Sequence, residues 1–148
     1  MTYSLFKKVD AVTIPVGDLD AGLRFYRDAL GHRLRWRNDA IGQAALAMAD
    51  SETEIVLSTQ LRYGPDWLVA DVVQAVAVIV AAGGQVIAEP ADIPVGQVAV
   101  VRDPFGNTLV LVDLSKGLYV TDSAGKVTAV ERHDEPGGAR AARPSPPR

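Results

Sequence analysis

The spacing of apolar residues changes several times in the first part of the chain, and each spacing predicts one kind of element. Leucine and tyrosine recur every three or four positions over Asp18–Leu30, which is the period of an amphipathic helix. Asp18 is a favoured N-cap residue, and Gly31 can adopt the left-handed conformation that often follows a helix. Runs of β-branched residues and alternating apolar and charged positions predict strands around this helix. These strands are Val9–Val16, a segment through Leu34 and Trp36, Ile41–Ala49 and Glu54–Thr59, which gives the order β-α-β-β-β.

The same order of elements returns in the second part of the chain. Asp71 is a second N-cap, and Val72–Ala82 predicts a second helix that a pair of glycines ends. The apolar residues of this helix lie on all of its sides, which predicts burial on more than one side. A shift of 53 residues (71 − 18) carries Asp18 onto Asp71 and Gly31 onto Gly84, so we infer an internal duplication. The strands predicted here are Trp67–Ala70, Gln85–Ala88, Val95–Arg102 and Thr108–Asp113.

The last part of the chain contains a predicted turn, a predicted hairpin and a polar tail. In the turn, Asp103 can accept hydrogen bonds from backbone amides ahead of it, and Gly106 tolerates a positive φ. Leu118–Val130 predicts a hairpin that turns at Asp122–Gly125. Proline, glycine, alanine and charged residues dominate Glu135–Arg148, and this composition predicts disorder.

Composition narrows the class of protein. The chain has 148 residues, 48% of them apolar, which suffices for one domain or two small half-domains with a packed core. Its formal net charge is −3, so it lacks the basic character of a nucleic-acid-binding domain. The absence of cysteine excludes disulfides, thiolate metal ligands and a cysteine nucleophile. The sequence contains no secretory signal and no membrane-spanning run, so we expect a cytoplasmic protein that binds neither nucleic acid nor membranes.

Three motifs together resemble one superfamily. The segment Ile14–Gly31 is very similar to the pattern V-x-V-x-D-L-x-x-x-x-x-F-Y-x-x-x-L-G. Gly83, Gly84 and Val86 (G-G-x-V) follow in the expected order, and then the D-P-x-G-N sequence that contains Asp103. The motifs resemble the vicinal oxygen chelate (VOC) superfamily, which includes glyoxalase I, bleomycin-binding resistance proteins, fosfomycin-modifying enzymes and extradiol dioxygenases.

The resemblance implies an α+β fold of two βαβββ modules in one chain, whose curled mixed sheets surround a cavity. It covers roughly residues 8–114, with module 1 at about 8–60 and module 2 at about 64–114. The predicted hairpin then forms a C-terminal extension over residues 115–134, and residues 135–148 form the disordered tail.

Metal-dependent members of this superfamily carry a histidine early in the first strand of each module and a carboxylate on the last strand. Such ligands suit a divalent cation that polarises substrate oxygens. The resemblance places these positions near Ala11, Glu54, Gly64 and Val110, and only Glu54 is a residue of the required type. We therefore expect neither a metal nor another cofactor, and we assign no catalytic residue.

Other residues that could bind a metal lie elsewhere in the sequence. His32 directly follows the first helix, where a residue near the helix C-terminus is the simpler interpretation, and His133 lies in the tail. Asp10 and Asp66 could replace the missing histidines if the strand register were shifted by a small number of residues.

Large aromatic residues and isolated polar residues are the candidates for lining a ligand-binding cavity. Aromatic rings bury a large area and stack on planar ligands, although packing in the core is an equally good interpretation. Polar residues on apolar strands can line a pocket, although they can also face solvent. The candidate ligand-binding residues are Trp36, Gln43, Glu54, Tyr63, Trp67 and Gln97.

These observations favour a binding protein, and two alternatives stay open. The favoured function is metal-independent binding or sequestration of a small, partly aromatic molecule, similar to the antibiotic-resistance branch of the superfamily. One alternative is a VOC enzyme of lyase, isomerase or dioxygenase type, with atypical metal ligands or a metal-free mechanism. The other is a non-catalytic accessory protein whose cavity is filled. Because a sheet curled into half a barrel leaves an edge and a concave face to be covered, we expect a homodimer with two equivalent cavities.

Overall fold

The computed structural model describes residues 4–132, in which eight strands form one mixed sheet. Their order across the sheet is β2-β3-β4-β1-β5-β8-β7-β6. His133 and the predicted tail, residues 135–148, lie outside the described residues. The strands are β1 (Lys8–Pro15), β2 (Leu34–Asn38), β3 (Gln43–Met48), β4 (Ser51–Ser58), β5 (Gly64–Leu68), β6 (Gln85–Ile93), β7 (Gly96–Arg102) and β8 (Thr108–Val112).

The sheet consists of two similar halves that meet at β1 and β5. In the first half β4 runs parallel to β1, and in the second half β8 runs parallel to β5. β1 and β5 pair in antiparallel orientation, so an approximate twofold axis relates the halves. Each half has the order β-α-β-β-β, which confirms the predicted α+β fold. The two modules therefore join edge to edge within one chain.

Each half contains one helical segment between its first two strands. The sequence predicted one regular helix over Asp18–Leu30, but only the beginning is α-helical, and the rest is a π-helix, a form often found at functional positions. The chain leaves the helix at Gly31, whose φ is 87°. The helices are α1 (Leu19–Leu23), its π-helical continuation (Arg24–Ala29) and α2 (Val72–Ala81).

Aspartate side chains begin both helices, as predicted. The carboxylate of Asp18 accepts a hydrogen bond from the amide of Ala21 at 3.0 Å, and that of Asp71 accepts one from the amide of Gln74 at 3.0 Å. The turn before β8 is also confirmed, because Asp103 accepts hydrogen bonds from two backbone amides within it. Local side-chain hydrogen bonds thus fix where these elements start.

Both helices lie on the same face of the sheet. α1 packs against β3 and β4, whereas α2 packs against β7 and β8. The sequence predicted burial of α2 on more than one side, but only one side is buried, because α2 lies on the outside of a single sheet. In residues 4–132, no helix is long and apolar enough to cross a membrane. The buried residues of α2 are Val72, Ala75, Val76 and Ile79.

The predicted C-terminal hairpin forms and packs on the opposite face of the sheet from the helices. The ring centroids of Tyr119 and Trp36 are 4.7 Å apart. The amide of Arg37 donates a hydrogen bond to the carbonyl of Gly125 at 2.8 Å, which joins the hairpin turn to the edge strand β2. The hairpin therefore covers an edge that would otherwise be exposed. Its strands are β9 (Leu118–Thr121) and β10 (Val127–Glu131).

Candidate functional site

The face of the sheet opposite the helices, here called the inner face, carries the positions that the resemblance assigns to metal ligands. Ala11 of β1 pairs with Glu54 of β4 on one side and with Asp66 of β5 on the other. Asp66 in turn pairs with Val110 of β8. Paired residues lie side by side on one face of a sheet, so these residues form one row across the centre of the inner face.

This row corrects one expected position. The resemblance placed the second histidine position near Gly64, which is also the residue onto which the repeat shift carries Ala11 (11 + 53). In the structure Gly64 pairs with Thr13, whereas Asp66 pairs with Ala11. The antiparallel pairing of β1 with β5 sets this register, and the spacing of the repeat does not contain that information.

The side chains of the row do not fit a metal ion. Ala11 and Val110 have no donor atom, which leaves only the carboxylates of Glu54 and Asp66. A catalytic zinc site usually takes three ligands from the protein. Among residues 4–132, no group of three or more histidine, cysteine, aspartate or glutamate side chains could hold a metal ion.

Two side chains of β2 interact with the carboxylate of Glu54. Its Oε1 accepts a hydrogen bond from Nε1 of Trp36 at 3.4 Å, and its Oε2 lies 3.5 Å from Nη1 of Arg35. The side chains of Arg35 and Glu54 are 8% and 2% exposed, so this ion pair is buried. Both carboxylate oxygens therefore already face a donor from the chain, and Glu54 is poorly placed to bind a metal.

The sequence did not predict the burial of Arg35. Arg35 alternates with Leu34 and Trp36 and was expected on the solvent side of a half-buried strand. A bulge between Leu34 and Trp36 interrupts that alternation and lets Arg35 approach Glu54. The one available signal was Glu54 itself, because a carboxylate within an apolar strand needs a cation or donors nearby.

The hairpin fills the first-module half of the inner face. Trp36 and Val56 are 1% and 0% exposed in a cluster that contains Tyr119. Further apolar side chains pack around them, so Trp36 is buried within this cluster. These side chains are Ile93, Leu114, Val127 and Val130.

The second-module half of the inner face is less covered. Ala99, Val101 and Leu111 pack against α2 on the helix side of the sheet. Because side chains alternate along a strand, their neighbours on β7 and β8 face the inner side. These neighbours are partly exposed and form an apolar surface beside Asp66, here called the open half. The open half consists of Val98, Val100 and Val110.

Some of the candidate ligand-binding residues lie on the inner face. Trp36 and Glu54 are in contact, as described above. Gln43 is on the same face as Ala45, two positions further along β3, and lies at the start of that strand. His32 lies apart from this group and has its Nδ1 3.1 Å from a backbone carbonyl oxygen of β3. The structure therefore groups Trp36, Glu54 and Gln43 in the first module.

The other candidates are separated from this group. Trp67 lies on the helix side of the sheet, where its ring centroid is 5.1 Å from that of Phe6. Tyr63 is 72% exposed in the loop before β5. The side chain of Gln97 donates a hydrogen bond to Asp92 at 3.5 Å. These residues do not form one site with Trp36, and their role in binding stays a prediction.

Charged side chains fasten the hairpin to the first module. Lys126 and Arg37 lie 2.6 Å and 2.8 Å from the carboxylate of Asp39, and Arg37 also lies 2.8 Å from that of Asp20. Lys126, and then Arg37, lower the pKa of Asp39 below its usual value, and Arg37 lowers that of Asp20. Because these carboxylates are exposed, solvent screens the network and its contribution to stability is small.

The family comparison covers most of the described chain. The profile of the glyoxalase-like domain family matches residues 11–112. The match ends before the hairpin, so β9 and β10 are an addition to the family core. No curated protein sequence shows a significant match to the chain.

Several solved structures have a similar fold. Methylmalonyl-CoA epimerase from Mycobacterium tuberculosis has a TM-score of 0.60 at 23% identity and covers 76% of this chain and 91% of its own. A hypothetical protein from Bacillus halodurans C-125 has a TM-score of 0.56 at 20% identity and covers 72% of this chain and 93% of its own.

A further similar structure contains a ligand. A variant of Streptomyces coelicolor methylmalonyl-CoA epimerase, in complex with 2-nitronate-propionyl-CoA, has a TM-score of 0.57 at 25% identity and covers 74% of this chain and 98% of its own. Since the family profile matches more than half of the chain, this protein belongs to the glyoxalase-like domain family of the VOC superfamily.

Proposed function

We propose that this protein binds a small, partly aromatic molecule on the open half of its inner face, without a metal ion. The observation that carries the proposal is the contrast between the two halves. Val56 of the first module is fully buried beneath the hairpin, whereas Val98, Val100 and Val110 of the second module stay partly exposed. Small-molecule sites are mostly apolar with a small number of polar groups, and the open half with Asp66 beside it has this composition.

Asp66 supplies the polar group of the proposed site. It lies next to Val110 across β5 and β8 and is partly exposed. A carboxylate at the end of an apolar surface favours ligands with a hydroxyl, amine or amide group near a planar ring. The proposed ligand is therefore neutral or cationic at that end and apolar elsewhere.

The binding energy can come from apolar contact alone. Burial of apolar area contributes about 25 cal/mol per Å², opposed by the freedom that the ligand loses on binding. An affinity of about micromolar strength is expected for a drug-sized planar compound. This function corresponds to sequestration by a cytoplasmic protein, as in the antibiotic-resistance branch.

A second candidate function is catalysis on an acyl-CoA thioester. It is favoured by the similarity to methylmalonyl-CoA epimerases and by the carboxylates of Glu54 and Asp66 in one row of the inner face. The buried ion pair of Glu54 with Arg35 opposes it, because a catalytic carboxylate must reach its substrate. The two functions make different predictions for one set of titrations.

The test is isothermal titration with methylmalonyl-CoA and with the neutral aromatic amine N-phenyl-1-naphthylamine, each with and without chelator. Mass spectrometry of the purified protein identifies any copurified molecule. The binding proposal expects the aromatic amine or a copurified compound to bind with chelator present, and expects Val100→Asp to abolish that binding. Phe25→Asp, at an exposed apolar residue on the first helical segment, is the matched control and should bind normally.

The outcomes separate the candidates. Turnover of methylmalonyl-CoA would contradict the proposed binding function and support the second candidate function, catalysis. If no compound binds and none copurifies, both fail, and the accessory role becomes the better interpretation, because half of the inner face is already filled. If Val100→Asp leaves binding unchanged, the binding site lies outside the open half.

A further inference from the structure

Three polar side chains lie side by side at one end of the open half. Arg102 of β7 pairs with Thr108 of β8 on one side and with Gln85 of β6 on the other. Paired residues share one face of a sheet, and Arg102 lies two positions beyond Val100 on the same strand. The three residues therefore lie on the inner face, next to the apolar surface. We call Gln85, Arg102 and Thr108 the polar row.

The guanidinium group of Arg102 has no competing carboxylate. Arg102 is exposed, and within residues 4–132 its side chain forms no ion pair. The next residue, Asp103, uses its carboxylate within the turn, where it accepts hydrogen bonds from the amides of Phe105 and Asn107. Arg102 is therefore free to pair with an anion that comes from outside the chain.

The sheet leaves space beside the polar row. Asp66 of β5 and Val110 of β8 are paired. Gly64 and Thr108 lie two positions before them on the same two strands, so they are neighbours on the inner face. A Cβ atom built on Gly64 would meet no atom within 4 Å. A glycine in a strand often marks a place where a ligand approaches the backbone closely.

We propose that the polar row binds a carboxylate group of the ligand, so that the preferred ligands are flat aromatic carboxylic acids. This inference rests on the proposed function and adds an acidic group beyond the apolar part of the ligand. A guanidinium group binds a carboxylate through two parallel hydrogen bonds. The hydroxyl of Thr108 and the side-chain amide of Gln85 can donate further hydrogen bonds to the same group.

The charges of this face favour a carboxylate over a phosphate. Two strand spacings and two residues along the strand separate the Cα atoms of Arg102 and Asp66 by about 12 Å. A phosphate group carries nearly two negative charges at neutral pH, so the single guanidinium would leave one of them uncompensated on the same face as Asp66. The single charge of a carboxylate matches that of Arg102.

The two ends of the site define a suitable probe. Asp66 accepts a hydrogen bond from a hydroxyl group at one end, the valines of the open half contact the rings, and the polar row binds the acid at the other end. The compound 6-hydroxy-2-naphthoate carries its groups in this order. Its carboxamide, 6-hydroxy-2-naphthamide, has the same rings and hydroxyl but no charge, and it is the matched neutral compound.

The first test is isothermal titration of the full chain with these two compounds. The acid should bind about tenfold more tightly than the amide, because hydrogen bonds to a charged group are the stronger ones. This advantage should fall as the salt concentration rises. Arg102→Gln should remove the advantage without weakening the amide. Arg24→Gln, at an exposed arginine on the helix side of the sheet, should retain it.

The outcomes separate this inference from the proposed function. Equal affinities of acid and amide would overturn the carboxylate site but leave the proposed function intact, because the neutral compound still binds. An advantage that Arg102→Gln does not reduce would overturn the assignment to the polar row. Tighter binding of 6-hydroxy-2-naphthyl phosphate than of the acid would overturn the class of ligand. If neither compound binds and N-phenyl-1-naphthylamine does not bind, the proposed function fails and this inference fails with it.

The second test concerns the hydroxyl of Thr108. Thr108→Val keeps the shape of the side chain and removes one donor, so it should weaken the acid about threefold and leave the amide unchanged. Thr128→Val, at an exposed threonine of the hairpin, is the control and should change neither affinity. An affinity for the acid that Thr108→Val does not change would overturn the polar row as a unit.

Discussion

At the scale of single residues, the buried pair of Arg35 and Glu54 limits which substitutions the first module can accept. The two side chains lie 3.5 Å apart with little access to water. A buried ion pair adds little net stability, but the removal of one partner leaves the other charge buried and uncompensated. The pair therefore acts as a constraint on substitution rather than as a source of stability.

We predict that Arg35→Met destabilises the protein by about 3 kcal/mol, measured by urea unfolding. The double variant Arg35→Met with Glu54→Leu should recover most of that loss, because it removes both charges. Lys8→Met removes an exposed ion pair with Glu52 and should change the free energy of unfolding by less than about 0.5 kcal/mol. Equal effects of Arg35→Met and Lys8→Met would contradict the burial of the pair.

A second prediction concerns Gly106, whose φ is 91°. Gly106→Val should destabilise the protein by about 1–3 kcal/mol, because a β-branched residue is strained in the left-handed region. Gly17 is the matched control. A Cβ would meet no atom within 4 Å at either residue, but the φ of Gly17 is not in the left-handed region. Thermal melting that is the same for both valine variants would show that the φ of Gly106 does not limit substitution.

At the scale of elements, the hairpin determines which part of the inner face is available. Tyr119 is 2% exposed and contacts Trp36, so the hairpin contributes to the core of the first module. The position of the hairpin on the sheet depends on contacts between residues that are far apart in the sequence.

We predict that Tyr119→Ala destabilises the protein by about 3 kcal/mol and exposes Trp36, which shifts tryptophan emission to longer wavelength. Trp67 is unaffected because it lies on the helix side of the sheet. Val120→Ala, at the partly exposed neighbouring position of β9, should have a smaller effect and leave the emission unchanged. An unshifted emission spectrum for Tyr119→Ala would mean that the hairpin does not cover Trp36 in solution.

Local signals in the sequence predicted the elements well but not their long-range pairing. Asp18 and Asp71 were found as helix caps because a cap is a contact within a few residues. The burial of Arg35 was missed because a bulge breaks alternation without a marker in the sequence. Asp66 was named only as an alternative that needed a shifted register, because the pairing of two strands from different modules sets its position beside Ala11. Most of the candidate site depends on such pairing between strands that are far apart in the sequence.

At the scale of the whole molecule, one continuous sheet contains the strands of both modules. Different elements of the chain cover its two faces. Helices cover one face, and the hairpin covers half of the other. The row across the middle of the inner face joins the modules, and two of its four residues, Ala11 and Val110, have no metal-binding atom. The fold is therefore expected to hold together by packing and strand pairing alone.

We predict that a chelator leaves the melting temperature unchanged, and that added Zn²⁺ or Mg²⁺ does not raise it. A metal that binds only the folded state would stabilise it by mass action, and its removal would lower the melting temperature. A fall in melting temperature on chelation that added metal reverses would show that a ligand set outside the row holds a structural ion.

The hairpin also decides how many ligands one chain can hold. A duplicated sheet with an approximate twofold axis presents two equivalent half-sites, and a plain duplication would bind two molecules per chain. The chain adds one hairpin after the second module, and its Tyr119 packs in the cluster that buries Trp36 and Val56 of the first module. For the proposed site we therefore expect one ligand per chain, and the equivalence point of a titration reports this stoichiometry without knowledge of the affinity.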